Sequence, residues 1–170
     1  MKKVAILTIS DKGAKGKRID VTGKTLKEHL ENNQYIVDYY KVIPDEVEDI
    51  KKELIYICDE LGIPLVITNG GTGFSERDIT PEATLQVIEK NVPGIGEFMR
   101  MKSMEITPRA MLSRGISGIR KKSLIINLPG SPRGAKDNLE FILPSLGHGL
   151  EILCEEVLEC AGDEVGLQGL

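Results

Sequence analysis

The chain is 170 residues long, with a formal net charge of −4, 41% hydrophobic residues and 4% aromatic residues. That acidic balance excludes a binder that works by neutralising nucleic-acid phosphates, and so few rings exclude a stacking platform for single strands. No apolar run approaches the roughly 20 residues of a membrane span, so one soluble domain over residues 1–170 is expected, without membrane or nucleic-acid partners.

In chain order, "MKKVAILTIS" opens with two lysines and an apolar run that Ser10-Asp11 stops too early for a signal peptide, so residues 3–10 predict a strand. Residues 22–33 predict a helix with Leu26 and Leu30 one turn apart, and the β-rich stretch 35–43 predicts a second strand. Residues 47–61 place Ile50, Leu54, Ile57 and Leu61 on one helical face. "PLVITN" (64–69) is a continuous apolar run, as in a strand covered on both faces. Helices are predicted over 81–91 and 95–105, with a short one over 108–114. Strands follow over 115–120 and 123–128. The stretch 135–159 reads as helical, with Pro144 expected to kink or split it. There is no internal repeat, low-complexity segment or linker.

Cys58, Cys154 and Cys160 are odd in number and lack metal-ligand spacing. Cys58 falls on an apolar helical face, which predicts a small buried hydrophobe, and reduced thiols point to the cytoplasm. His29 and His148 do not form a metal pattern.

The alternation of strands and helices implies an α/β fold with a mainly parallel sheet and helices on both faces. Such sheets bind ligands beyond the carboxyl ends of their strands. The informative loops are therefore those after residues 10, 43, 69 and 128.

The third of these carries Gly70, Gly71, Thr72 and Gly73. Its glycines permit positive φ and close approach of backbone N–H groups to an anion. Neither a P-loop nor a dinucleotide fingerprint is present. Glu76, Arg77 and Asp78 follow, before a helix cap expected at Thr80-Pro81. In the second loop Asp45 stands three residues before Glu48, a capping-box spacing, and a capping carboxylate still keeps a free oxygen. Asp45 and Asp78 follow strands expected to be neighbours, and together could hold Mg²⁺, which takes one or two carboxylates plus substrate oxygens. The first loop has Ser10 and Asp11, then Lys12, Lys15, Lys17 and Arg18, then Asp20, Thr22 and Gly23 at a helix start, a setting that favours an anion. The fourth loop has Asn127, Pro129 and Gly130, with Ser131-Pro132 as a cap and Arg133 and Lys136 in the first turns of the helix. Thr107-Pro108 repeats the cap signature. Four successive strand-end loops of this chemistry predict an anionic, nucleotide-containing ligand across the sheet's carboxyl edge.

At this point the blocks "TNGGTGFSERDITPEAT", "MLSRGISGIR" and "LIINLPGSPRGA" are recognisable. With "TISD", "IPDEVEDIK" and "FILPSLGHGLEIL", they closely resemble the molybdopterin adenylyltransferase family, which includes bacterial Mog/MoaB-type proteins and the G domain of gephyrin. The resemblance covers residues 3 to about 153 and leaves "EEVLECAGDEVGLQGL" as a helix end and tail. It implies a three-layer α/β/α fold, a homotrimer, and transfer of AMP from ATP to the molybdopterin phosphate with release of pyrophosphate, ahead of molybdate insertion by a later protein. It also implies that Asp45 and Asp78 support Mg²⁺ and catalysis. Further, it implies that Gly70–Gly73 lie in the nucleotide and pterin-phosphate site, with Ser10, Asp20, Thr22, Gly23, Ser113, Asn127, Pro129, Gly130 and Ser131 around it. One departure is Thr22, where the family's D-x-S-G has serine. Threonine keeps the hydroxyl and adds a methyl group.

Overall fold

The computed structural model describes residues 2–154. Six strands form one sheet in the order β2-β1-β3-β6-β5-β4. β1 (Lys2–Ile9), β2 (Tyr35–Ile43), β3 (Leu65–Asn69) and β6 (Ser123–Leu128) run parallel, while β5 (Ser117–Arg120) pairs antiparallel with β6 and with β4 (Lys90–Asn91). Helices α1 (Asp11–Ala14), α2 (Val21–Asn32), α3 (Val47–Ile55), α4 (Thr80–Leu85), α5 (Pro93–Met104) and α6 (Pro132–Leu153), with a π turn at Tyr56–Glu60 and a 3-10 helix at Pro108–Leu112, complete the described elements.

Side chains alternate across a strand, so each central strand feeds two cores. Val4, Ile6, Leu65, Ile67, Leu124 and Ile126 face α2, α5 and α6. Ala5, Leu7, Val66 and Ile125 face α3 and α4 on the other side. This is the three-layer α/β/α arrangement with a mainly parallel sheet. It also explains the apolar run read at 64–69, since β3, like β6, is buried at every position.

Four expectations about elements are corrected. The helix expected over 81–91 stops at Leu85: Val87 and Ile88 turn back on Thr84, and Glu89 N–H donates to Ile119 O (2.8 Å), so pairing with β5 captures the segment. The stretch 47–61 is not one α-helix, because α3 passes into a π turn at Tyr56–Glu60. The wider turn buries Ile57 and Cys58 and leaves Leu61 exposed. Thr80 is the first residue of α4 rather than its cap. α6 begins at Pro132 and continues through Pro144, with Leu139, Ile142, Leu146 and Leu150 buried along it. One missing backbone bond does not end a helix anchored over that length. Cys160 and the helix predicted to reach 159 lie, beyond residue 154, outside the described residues.

Burial pushes the Cys58 thiol up to about 11, which keeps it protonated and inert at neutral pH. Beside it Asp59 accepts from Arg120 Nε (2.9 Å) and Nη2 (2.6 Å) and pairs with Lys121 (3.2 Å), at the edge of the sheet opposite the loops of interest. The Arg120 guanidinium holds the Asp59 carboxyl below its ordinary value. Asp59→Asn is therefore expected to lower Tm at neutral pH by about 2–4 °C. A depressed carboxyl stabilises above its unfolded pKa of about 3.9, and that contribution is lost as pH falls through the folded value. Melting curves of variant and wild type should accordingly converge in acid. A gap that is constant with pH would refute this account.

Candidate active site

The four parallel strands finish level at Ile43, Ile9, Asn69 and Leu128, so the loops that follow them meet along one edge. The expectation that β2 and β3 are neighbours is corrected: β1 lies between them. The loop after β1 thus becomes the bridge between Asp45 and Asp78.

The glycine loop leaves β3 with Gly70 at φ +100° and Gly71 at φ +64°, the left-handed region that glycine enters without strain. Gly70 N–H donates to Leu128 O (3.2 Å), the Thr80 hydroxyl donates to Gly70 O (2.9 Å), and Thr80 N–H donates to Gly71 O (3.1 Å). These bonds join the two ends of the loop, so it departs and returns at one point. Arg114 fastens the middle. Its N–H donates to Thr72 O (2.9 Å), its Nε to Gly73 O (2.7 Å), and its remaining nitrogens to Asp78 O and the Glu82 carboxylate. The N–H groups of Gly71, Thr72 and Gly73 make no hydrogen bond to a described residue. Three successive amides of this kind form a natural anion cradle.

Asp45 does not cap its helix as its spacing with Glu48 suggested; the cap position falls at Glu46, which makes no side-chain capping bond. Asp45 Oδ2 instead accepts the Asp11 N–H (2.7 Å), while Asp45 N–H donates to Asp11 Oδ1 (3.2 Å). Asp45 Oδ1 faces the glycine loop, 3.4 Å from where a Cβ on Gly71 would stand. Asp78 Oδ2 accepts the Ser75 N–H (2.8 Å) and lies 2.9 Å from the corresponding point on Gly73. The two carboxylates therefore bracket the cradle. Burial raises the Asp45 pKa; the Asp11 N–H opposes this, and the Asp11 and Asp78 charges add to it. Arg77 does not reach an open anion position, because it pairs with Asp11 and Glu46. Its guanidinium holds the Asp11 carboxyl below the ordinary range.

On the first loop Ser10 caps α1, accepting the Gly13 N–H (3.1 Å). Asp20 caps α2 through Gly23 N–H (2.8 Å), and its other oxygen accepts the hydroxyls of Thr8 and Tyr40 (both 2.5 Å). The Thr22 hydroxyl, retained in the departure from serine, donates to Gly130 O (2.7 Å) and so ties the first loop to the fourth. Asn127 is buried. Its Nδ2 donates to the hydroxyls of Thr68 (2.9 Å) and Thr84 (3.0 Å), and its Oδ1 accepts the Ile116 N–H (3.3 Å). Its side chain is thus a link between β6, β3 and α4. Ser131 caps α6 through Gly134 N–H (3.3 Å). Lys12, Lys15, Lys17 and Arg18 are exposed and make no side-chain ion pair among the described residues, whereas Arg133 and Lys136 meet Asp137 and Glu140 one turn along α6.

Two cavities open on either side of the glycine loop. One, of about 330 Å³, has Thr72, Gly73, Ser113, Pro129 and Ser131 on its near wall and α5 behind. There the Ser103 hydroxyl is buried without a hydrogen-bond partner among the described residues, and Arg100 is fixed by Gly115 O (2.9 Å). The other, of about 350 Å³, is lined by Ser10, Asp20, Thr22, Gly70 and Gly130, with Arg18 at its side. Of the candidate site residues, Ser10, Asp20, Thr22, Gly70 and Gly130 line one cavity, and Thr72, Gly73, Ser113, Pro129, Ser131 and Asn127, whose amide is fully engaged, line the other. Arg114, Tyr40 and Ser103 are not singled out by the sequence, and Asp11 is marked there only as the start of the first loop, without its role beside Asp45. Only the L-S-R block around Arg114 carried a local signal, because the others act through partners distant in sequence. Among the described residues there is no group of three or more His, Cys, Asp or Glu placed to hold a metal unaided.

Fold and site together define an α/β/α protein with two cavities beside a glycine loop at the carboxyl edge of its sheet. The model of the family described as "Probable molybdopterin binding domain" matches residues 5–148, and the chain belongs to that family. It is 44% identical to the molybdopterin adenylyltransferase of Helicobacter pylori strain 26695, over 88% of this chain and 86% of that one. It is 38% identical to gephyrin of Dictyostelium discoideum, over 88% of this chain and 22% of the longer relative. The solved molybdopterin biosynthesis enzyme MoaB of Thermus thermophilus superposes with a TM-score of 0.87 at 45% identity, over 94% of this chain and 100% of that one. No helix among the described residues is long and apolar enough to cross a membrane.

Proposed function

We propose that this chain is a single-domain molybdopterin adenylyltransferase of molybdenum cofactor biosynthesis, transferring AMP from ATP to the molybdopterin phosphate with release of pyrophosphate. The observation that carries the reading is the glycine loop itself, with one cavity walled by Thr72 and Gly73, another by Gly70, and carboxylate oxygens of Asp45 and Asp78 turned to the loop at Gly71 and Gly73. Substrates held one on each side of this loop would approach each other across it, which is what a transfer between them requires.

The attacking group is a phosphate oxygen, already anionic at neutral pH, so no general base is needed. The barrier lies in bringing anions together and in the charge that develops on the departing pyrophosphate. The open N–H groups of Gly71, Thr72 and Gly73 face such charge, and the lysines of the first loop lower the cost of assembling it. Asp45 and Asp78 are the residues that would hold Mg²⁺. They fit it: two carboxylates suffice for an ion that keeps waters and substrate oxygens, and each turns an oxygen to the glycine loop. Bound there, Mg²⁺ supplies Lewis-acid stabilisation of the phosphate oxygens. On this reading the aspartates are positioners and metal holders, not bases.

Met101, Met104, Ile106 and Met111 are exposed, and neighbouring copies would cover them, in keeping with a homotrimer. A cytoplasmic setting and hand-over of the adenylylated pterin to a molybdate-inserting protein complete the reading.

The test is pyrophosphate release from ATP by the purified protein, with and without molybdopterin. Release is expected to require both the pterin and Mg²⁺ and to stop on chelation. Pterin binding without pterin-dependent release would leave a binding or scaffold protein of the same fold.

A further inference from the structure

We propose that Arg77 is a positioning residue, which acts through the Asp11 carboxylate to hold the Asp11–Asp45 pair that aims Asp45 at the glycine loop. Arg77 Nε donates to Asp11 Oδ2 (3.1 Å), and Nη2 donates to Asp11 Oδ1 (2.9 Å) and to Glu46 Oε1 (2.8 Å). Asp11 follows β1, Glu46 follows β2, and Arg77 follows β3, so one guanidinium joins three loops that no backbone bond to Arg77 connects.

What Arg77 grips is itself the support of Asp45. Asp11 and Asp45 are joined twice, each backbone N–H donating to the other's carboxylate, at 2.7 and 3.2 Å. Asp11 Oδ1 accepts from both Arg77 and the Asp45 N–H, so turning the Asp11 carboxylate away would loosen the pair. The other end of the clamp is equally local. Arg77 precedes Asp78 in a turn closed by Asp78 N–H to Ser75 O (2.9 Å) and by Ser75 N–H to Asp78 Oδ2 (2.8 Å). Arg77 therefore sets the spacing between the loops that carry the two carboxylates.

The planar fork of arginine makes this contact, and lysine, a point charge with no fork, cannot reproduce it. Arg77 is half exposed, and exposed ion pairs add little to global stability. The effect to look for is therefore in local geometry and in turnover, not in melting.

The turnover part of this inference rests on the adenylyl-transfer reading, while the geometric part does not. The test uses the full chain as wild type, Arg77→Gln and Arg77→Lys, with Asp11→Asn as a second route to the same loss. Hydrogen exchange of the Asp11 amide, read by NMR without substrate, reports the bond to Asp45 directly. All three variants are expected to exchange this amide about tenfold faster or more. kcat for pterin-dependent pyrophosphate release is expected to fall about 10–100-fold, with KM for ATP changed less than about threefold. Tm is expected to stay within about 2 °C of wild type. Unchanged Asp11 exchange in Arg77→Gln overturns the proposal, as does full recovery of exchange and kcat by Arg77→Lys, which would reduce the role of Arg77 to its charge. If exchange responds as expected but wild type shows no pterin-dependent release, the clamp stands and the adenylyl-transfer reading fails alone.

Discussion

Asparagine at position 45 or at position 78 is expected to lower pterin-dependent pyrophosphate release by about 10²–10³-fold, the scale of losing one preorganised charge-stabilising group. The fold should survive either change. Asp45 accepts one backbone N–H from Asp11, and Asp78 accepts one from Ser75, and an asparagine oxygen can take over each bond. What disappears is the negative charge beside the cradle. For Asp45 the stability effect has a definite sign. Its pKa is raised by burial and by neighbouring carboxylates. A carboxyl raised in the fold contributes stability that is present below its unfolded pKa of about 3.9 and is lost as pH climbs through the folded value. At neutral pH its ionised form opposes folding, so neutral asparagine should leave Tm unchanged or slightly higher. If the two carboxylates serve one ion, the double variant should be little worse than the poorer single variant, because groups acting as a unit are strongly non-additive. Multiplicative losses would show that the two act separately. Wild-type turnover by either purified single variant would remove that aspartate from the mechanism.

The parts of this site that could be read from the chain are those whose signal is local. Leu65, Val66 and Ile67 are apolar in succession because the strand is covered on both faces, and Gly70 and Gly71 after it are the residues that positive φ demands. Ser131-Pro132 and Asp20 sit where caps belong and do cap. Errors arose where a local rule lost to a distant partner. Asp45 has the spacing of a capping box, but the Asp11 N–H, 34 residues away in sequence, claims its carboxylate. Thr80 looks like a cap, yet its hydroxyl closes the glycine loop. Val87 and Ile88 carry helical periodicity, and the edge of β5 captures the residues after them. Asp45 and Asp78 were paired on the idea of adjacent strands, whereas the connection runs through β1 and the loop beyond it. Arg114 shows the limit most clearly: it holds Gly73 from 41 residues away, a relation that no window of sequence contains.

Gly70→Ala is expected to be the most damaging single-methyl change in the glycine loop. At φ +100° any side chain is strained, and a Cβ there would stand 2.4 Å from the backbone oxygen of Ile9. That neighbour is backbone at the end of β1, not the tip of a flexible side chain, so relief requires β1 and β3 to separate or the loop to lift. Neither is free to move. Gly70 N–H is tied to Leu128 on β6, and Gly70 O is tied to Thr80 at the head of α4. The strain and the clash together should destabilise the fold by about 3–4 kcal/mol, or roughly 10 °C in Tm. Any alanine protein that does fold must carry a displaced loop, so its pterin-dependent release should be lost even well below the melting range. Two other glycines separate the causes. Gly62 has φ +59° and nothing within 4 Å of its Cβ position, so Gly62→Ala carries the strain without the clash and should lose about 1–2 kcal/mol. Gly94 lies in α5 with open space around it, and Gly94→Ala should be neutral or stabilising by helix propensity. Urea titration of the three variants orders them directly. A Gly70→Ala protein as stable as Gly62→Ala would mean that β1 yields easily at Ile9, and the glycine loop would then lack the rigid floor that its role as a phosphate cradle requires.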